Sequence, residues 1–565
     1  MSDDNTFDGL YRRRVLQGIG GAGIVSMAGC VSQITGGGGG ELKIGQAKSP
    51  IEFDPVVLND VPSLIVSAQI FEGLYHYDEG TGHVPVLADG EPQVSNGGST
   101  WTVNINENAQ FQNGDSVTAS DVKYSFRAPV VEKTENASEV SMIDTIEVVD
   151  ETTVRFNLKY PYGAFKHTLH RSIVPADVRG KLGIVREAGV EDGTPTGTPS
   201  STPTKVLEDS DKKAKFNKEE PIGSGPFQFV DWTEGDFVEL ERYDDYWGDS
   251  TPSVQSIRFT PIEEATTRVT TLKNGENHVI QGVPPKVWSQ VKEMSNASIE
   301  SEAGIGYFYL AFNCMEGPTT DPKVREAIDY TFNMDQAVSN FVEPAGVRQY
   351  SPLPEPIAKD WNMPLEEWKN IPHDKDVDKA ASLLEEAGVA KDYEWKIIVP
   401  PDDKREQIGV TVGNGLKEAG WSNVTVQRLD WGPFLQKYIS GDPNDYNMYT
   451  LGWAGTPDPD AFTYYLFGRT EDTLGVTNGT FYGNNSDRGK TVAENFLKAR
   501  ESADREQRQQ LYQEGITMAL EDRAHIPSYN LKNSFGVADT VSDFDAHPVS
   551  QMHIFSSHND TTIEE

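Results

Sequence analysis

The chain has 565 residues, enough for two or three domains. Asp and Glu total 87 against 49 Lys and Arg, a formal charge of −38 that is spread along the chain rather than gathered in one tail. Such a surface repels nucleic acid and anionic membrane and so excludes polyanion binding, while its dispersed acidity matches a halophilic protein whose self-repulsion is screened by salt.

The first predicted element is an address. Tyr11-Arg12-Arg13-Arg14-Val15-Leu16 is basic, and Ile19 to Gly29 is apolar or small throughout. The run is too short to span a bilayer, which takes about 20 apolar residues, and fits the signal peptide of an exported protein. The adjacent arginines resemble a twin-arginine (Tat) export motif, and Met27-Ala28-Gly29-Cys30 resembles a lipobox in which Cys30 receives the lipid. Gly36 to Gly40 would then be a flexible tether.

Beyond the tether, short strands and helices mix. Glu41 to Gly45, Thr100 to Ile105 and Thr152 to Leu158 read as strands, the second with the alternation of a half-buried one. Lys323 to Phe332, Val377 to Ala387 and Glu494 to Leu520 read as helices, with Asp321 and Pro322 opening the first and Gly388 closing the second. Asn113-Gly114 and Asn274-Gly275 are turn dipeptides. The stretch Glu191 to Lys205, rich in Thr, Pro, Gly and Ser, predicts a surface loop. Cys314, within Phe308 to Cys314, reads as a small core residue; with Cys30 lipidated it has no disulfide partner.

Nothing in this pattern signals an enzyme or a cofactor. There is no Gly-x-Ser-x-Gly elbow, His-Glu-x-x-His helix or phosphate loop, and Gly18 to Gly23 imitates a dinucleotide fingerprint only inside the export segment. His167 and His170 form the closest histidine pair but lack further ligands in sequence, so no metal site is expected.

A series of segments, in order, resembles the extracytoplasmic solute-binding proteins of family 5 of ABC transporters, the oligopeptide-, dipeptide- and nickel-binding type. They are Ile70 to Tyr75, Pro85 to Asp89, Trp101 to Ile105, Phe111 to Asp115, Thr118 to Ser125, Pro221 to Phe227, Asp245 to Gly248, Asp321 to Ala327, and Tyr449 to Trp453 with Asp458-Pro459. The resemblance implies an α/β fold: a two-lobed periplasmic-binding-protein-like clamshell (type II, large cluster) with an extra domain on its first lobe. By that resemblance 41–72, 215–281 and 530–565 form lobe I, 73–214 forms domain II, and 282–529 forms lobe III. It implies a monomer that captures a small solute or oligopeptide between its lobes and hands it to the permease and ATPase subunits of an importer, held at the outer membrane face by the lipid on Cys30.

The resemblance also carries site residues. Trp453 and Trp431 stand where peptide-binding members line the cleft, with core packing as the competing reading of each. Gly455 and Thr456 follow the Gly-Trp motif, and Thr456 occupies the place of an aspartate that anchors a peptide ammonium; Asp458 is near enough to substitute or only caps structure. Ser63 stands at a second cleft position where a relative is acidic, and Tyr529 contributes from the final crossover. With both acids replaced, an oligosaccharide stacked on the tryptophans is the alternative to an oligopeptide, and a surface hydrolase is the more distant one.

Overall fold

The computed structural model describes residues 40–564 apart from 182–183, 187–189, 192–193, 196–203, 207–208, 470–477, 550–553 and 557–558. The predicted export segment with Cys30, and most of the predicted loop near 191–205, lie outside the described residues. Among the described residues no helix is long and apolar enough to cross a membrane.

One mixed sheet runs through the molecule. In sheet order its strands are Phe227–Thr233, Phe237–Arg242, Ser256–Pro261, Glu41–Gln46, Val279–Gln281, His525–Ala538, Gly306–Phe312, Met448–Ala454, Trp395–Val399 and Val424–Arg428. His525–Ala538 is the spine. Its first half pairs with Gly306–Phe312, and its second half with Val279–Gln281 and Ala297–Ala303. A smaller antiparallel sheet, in the order Gln93–Ser95, Thr100–Asn104, Thr153–Leu158, Ile143–Val148, stands apart.

Separate apolar cores match these layers. One gathers Leu42, Ile44, Phe259, Val279 and Phe535 under the first half of the large sheet. A second packs Trp101, Val103, Phe126, Val154 and Phe156 on the small sheet. The largest joins Tyr307 to Phe312 with Trp395, Ile397, Tyr449, Phe496 and Ile516. The bodies around these three cores are, in that order, the first lobe, the extra domain and the second lobe.

The quoted motifs have structural causes. Thr118 and Asp121 form a capping box at the start of helix Ala119–Glu132, each side chain bonding the other's backbone N–H. Asp321 caps helix Pro322–Asp329, accepting from the Lys323 N–H at 2.9 Å, and Pro322 opens its first turn. A Cβ at Gly223 would stand 1.9 Å from the Ile70 carbonyl oxygen, so only glycine fits where these chains cross. Cys314 is buried, as read from sequence. One expectation is corrected. The stretch Glu494 to Leu520 is two helices, Asp487–Arg500 and Arg505–Glu521, because Asp504 caps the second by accepting from the Gln507 N–H at 3.0 Å.

Candidate functional site

Strand direction picks out a candidate region. Glu41–Gln46, Ser256–Pro261 and Val279–Gln281 are parallel, and Val279–Gln281 runs antiparallel to the second half of the spine strand. Their C-terminal ends therefore point back along the spine toward the second lobe. There, Met448–Ala454 is antiparallel to Gly306–Phe312, and Trp395–Val399 is parallel to Met448–Ala454. The C-terminal ends of these strands point the opposite way, toward the first lobe. Carboxyl ends of strands meeting at a crevice are where open α/β sheets bind ligands.

Aromatic rings gather in the second lobe near these strand ends. Phe308 and Tyr529 stack with ring centres 4.5 Å apart and planes at 5°. Trp453 is half-buried, its indole N–H donating to the Ala461 carbonyl at 2.7 Å, which fixes the ring. Trp431 opens helix Trp431–Tyr438 and stays 49% exposed while stacking on Phe434. Gly455 is half-buried and Thr456 exposed, both just past the strand end. Tyr529 is buried beneath Phe308 and acts as support for that ring.

Arg405 brings charge to this floor. It sits in the first turn of helix Asp403–Glu418, capped by Asp402, whose carboxylate accepts from the Arg405 N–H at 2.9 Å. Its guanidinium lies 5.8 Å from the Phe308 ring centre, and Asp402 at 3.4 Å is its one partner among the described residues. That contact is made by its buried Nε, which has no better-aligned hydrogen bond. A half-buried cation at a helix N-terminus suits an anion such as a carboxylate. Neither Arg405 nor Phe308 was singled out from the sequence. The available signal was an aspartate opening a helix directly after a strand.

The remaining predicted residues are engaged within the protein. Ser63 is fully buried, and its hydroxyl accepts from the Ile51 N–H at 3.0 Å, tying the 49–52 segment to helix Val61–Ile70. Asp458 is also buried. It caps helix Pro459–Phe467, accepting from the Asp460 N–H at 2.8 Å. Its carboxylate receives Arg508 at 2.6 Å and lies 3.5 Å from His167 Nε2, which the extra domain supplies. Burial alone would raise the Asp458 carboxyl, but Arg508 and His167 outweigh it and hold the group well below the usual range. Its charge is spent on structure, so the capping reading of Asp458 describes its contacts better than a free ammonium anchor. Beside it, burial pushes Asp460 up to about 6 although Arg500 binds it at 2.7 Å.

No group of three or more His, Cys, Asp or Glu among the described residues is arranged to hold a metal ion. A cavity of about 500 Å³ lies away from the crevice, where the first lobe meets the extra domain; Glu72, His76, Tyr246, Trp247 and Phe555 line it. Glu72 accepts from the Tyr246 hydroxyl at 2.6 Å and the Trp247 indole N–H at 3.0 Å, and burial raises its carboxyl to about 7.

Residues 82–473 match the model of bacterial extracellular solute-binding proteins, family 5, and the chain belongs to that family. It is 26% identical over 538 residues to the oligopeptide-binding protein AppA of Bacillus subtilis, covering 91% of this chain and 90% of the relative. It is also 26% identical over 522 residues to the glutathione-binding protein GsiB of Pectobacterium atrosepticum, covering 87% of this chain and 91% of that protein. Among solved structures, HbpA2 of Haemophilus parasuis superposes with a TM-score of 0.76 at 20% identity, covering 93% of this chain and all (100%) of the other. AppA of Bacillus subtilis in complex with a nonapeptide gives 0.65 at 22% identity, covering 94% and 99%. The two-lobed α/β fold expected from the motifs is thus the fold observed.

Proposed function

We propose that this chain is the lipid-anchored capture subunit of an ABC importer and takes a short peptide, or a related solute bearing a carboxylate, into the crevice between its lobes. The observation that carries the reading is Arg405: a half-buried cation, paired with Asp402 at 3.4 Å, beside the Phe308–Tyr529 stack. Aromatic rings take up the apolar part of the solute and Arg405 takes its carboxylate. Contact from both lobes favours the closed clamshell, which the permease then recognises. Names of the relatives, oligopeptide-binding and glutathione-binding, agree with a peptide-like cargo.

Thr456 favours the second reading. It is exposed and neutral where the resemblance places an aspartate for a peptide ammonium, and a sugar chain stacked on Trp431 and Trp453 would not need one. Calorimetry at high salt with alanyl peptides of two to nine residues, glutathione and maltooligosaccharides separates the two. The peptide reading requires that a peptide binds and that Arg405→Met weakens it by about tenfold or more, the size of one charge-assisted contact. Tight sugar binding indifferent to Arg405→Met selects the sugar. Mass spectrometry of the recovered solute tests the hydrolase alternative, since a binder returns it unchanged. Export through the twin-arginine route and lipidation at Cys30 belong to the same proposal; Cys30→Ser should move the protein from the membrane fraction to the medium.

A further inference from the structure

Three histidines of the extra domain crowd the joint where that domain meets the second lobe. His83 Nδ1 and His170 Nε2 are 2.6 Å apart, and the ring centres of His83 and His167 are 4.2 Å apart. The Tyr77 ring lies 4.0 Å from His170, and its hydroxyl is 3.3 Å from His167 Nδ1. The other face of His167 meets Asp458. Arg508, also on Asp458, donates to the Gly163 carbonyl at 2.9 Å, and the Gly163 N–H donates to the Arg500 carbonyl at 2.9 Å. The Asp458 N–H in turn donates to the Thr456 carbonyl at 2.7 Å. One chain of contacts thus leads from the histidine cluster to the crevice rim.

We infer that this cluster is an acid-sensitive clasp: with His83 and His170 uncharged, the extra domain grips Asp458 through His167 and positions the Gly455–Thr456 rim, and their protonation releases it. Two imidazole nitrogens 2.6 Å apart share one proton, so adding a proton to each ring replaces a hydrogen bond with two N–H groups face to face. The surroundings offer little to offset even one added charge. Lys166 is on the short helix Phe165–Thr168 with His167, Arg505 and Arg508 approach from the second lobe, and His76 and His547 flank Tyr77. Asp458 is the facing acid, already bound by Arg508, and Lys166 has its own partner in Glu91. In keeping with this geometry, burial, with His167 and Lys166 adding to it, pushes His83 down to about 2, and burial with His83 beside it lowers His170 strongly. Groups so lowered favour the gripped state fully above their ordinary value near 6.5 and lose that advantage as pH falls below it.

The part of the inference that concerns the rim rests on the crevice being the solute site, and the test separates the two. The probe is hydrogen exchange at the Gly163 amide, which bonds across the joint, corrected for intrinsic exchange chemistry and measured at constant molar salt from pH 7.5 to 5. Protection should fall at least about tenfold per pH unit below 6.5 if one histidine must be charged for release, and up to a hundredfold if both must. A double substitution, His83→Gln with His170→Gln, should flatten the profile, with affinity for trialanine measured alongside. A flat wild-type profile overturns the clasp without need of any variant, as does a profile that the double variant leaves unchanged. Protection that falls with pH while trialanine affinity holds keeps the clasp and removes Gly455–Thr456 from the solute site.

Discussion

Two polar joints hold the extra domain, and they are built from different chemistry. Toward the first lobe, Arg179 is fully buried between Asp54 at 2.7 Å and Glu132 at 2.8 Å, with Lys213 on Glu132 at 2.8 Å. Toward the second lobe, the joint is His167 on Asp458 with His83 and His170 behind it. A guanidinium stays charged at any physiological pH, so the first joint is permanent. Imidazoles kept neutral by burial regain their ordinary basicity once the joint parts, so on the inference above the second is conditional. If the lobes separate as proposed, the extra domain would travel with the lobe it is welded to.

The largest expected effect breaks the weld. Arg179→Met leaves Asp54 and Glu132 as buried carboxylates without their main cation and should cost about 3–5 kcal/mol of unfolding free energy, read by chemical denaturation in high salt. Arg508→Met strips Asp458 of a partner in the same way, but the joint there can part and admit water, so a smaller loss of about 2 kcal/mol is expected. Equal losses would erase the contrast between the joints.

Acid should also weaken the second-lobe core. His525, buried in the second-lobe core and 4.1 Å from the Tyr309 ring centre, is pushed down to about 3 by burial. Its folded value lies below its unfolded one, so its contribution is full above pH 6.5 and declines as pH falls, by up to about 2 kcal/mol at pH 5. Denaturation at pH 7.5 and 5 should show that loss, and His525→Phe should remove that part of it. The Arg179→Met penalty should shrink from pH 7.5 to 5, because Asp54, already raised by burial, takes up a proton more readily once its cation is gone. The smallest effect is at the surface: Trp431→Ala should change stability by less than about 0.5 kcal/mol, since the ring is half exposed, yet weaken solute binding by about 1 kcal/mol if it stacks on the cargo.

How far the sequence reached depends on the range of the interaction. The capping box at Thr118, the proline start at Pro322 and the crowding at Gly223 are short-range events, or single residues under strict steric demand, and they read as motifs. Ser63 and Asp458 kept their places relative to the motifs but not their imagined freedom. What occupies Asp458 is His167 from far upstream and Arg508 from a helix fifty residues on, pairings no local pattern announces. The split at Asp504 went unseen because Glu501 to Asp504 lacks proline and glycine, and the cap alone ends one helix and starts the next. Arg405 was invisible for a related reason: in so acidic a chain one arginine attracts no notice until the fold brings it beside Phe308.

The proposed function requires a solute held in the crevice against Arg405 and the aromatic floor. Titration calorimetry of the tether-free protein in molar salt, with alanyl peptides against wild type and Arg405→Met, tests this most directly. The expected result is micromolar or tighter binding of at least one peptide at one site per chain, weakened about tenfold or more by the substitution. Peptide binding with undiminished affinity in Arg405→Met would contradict it.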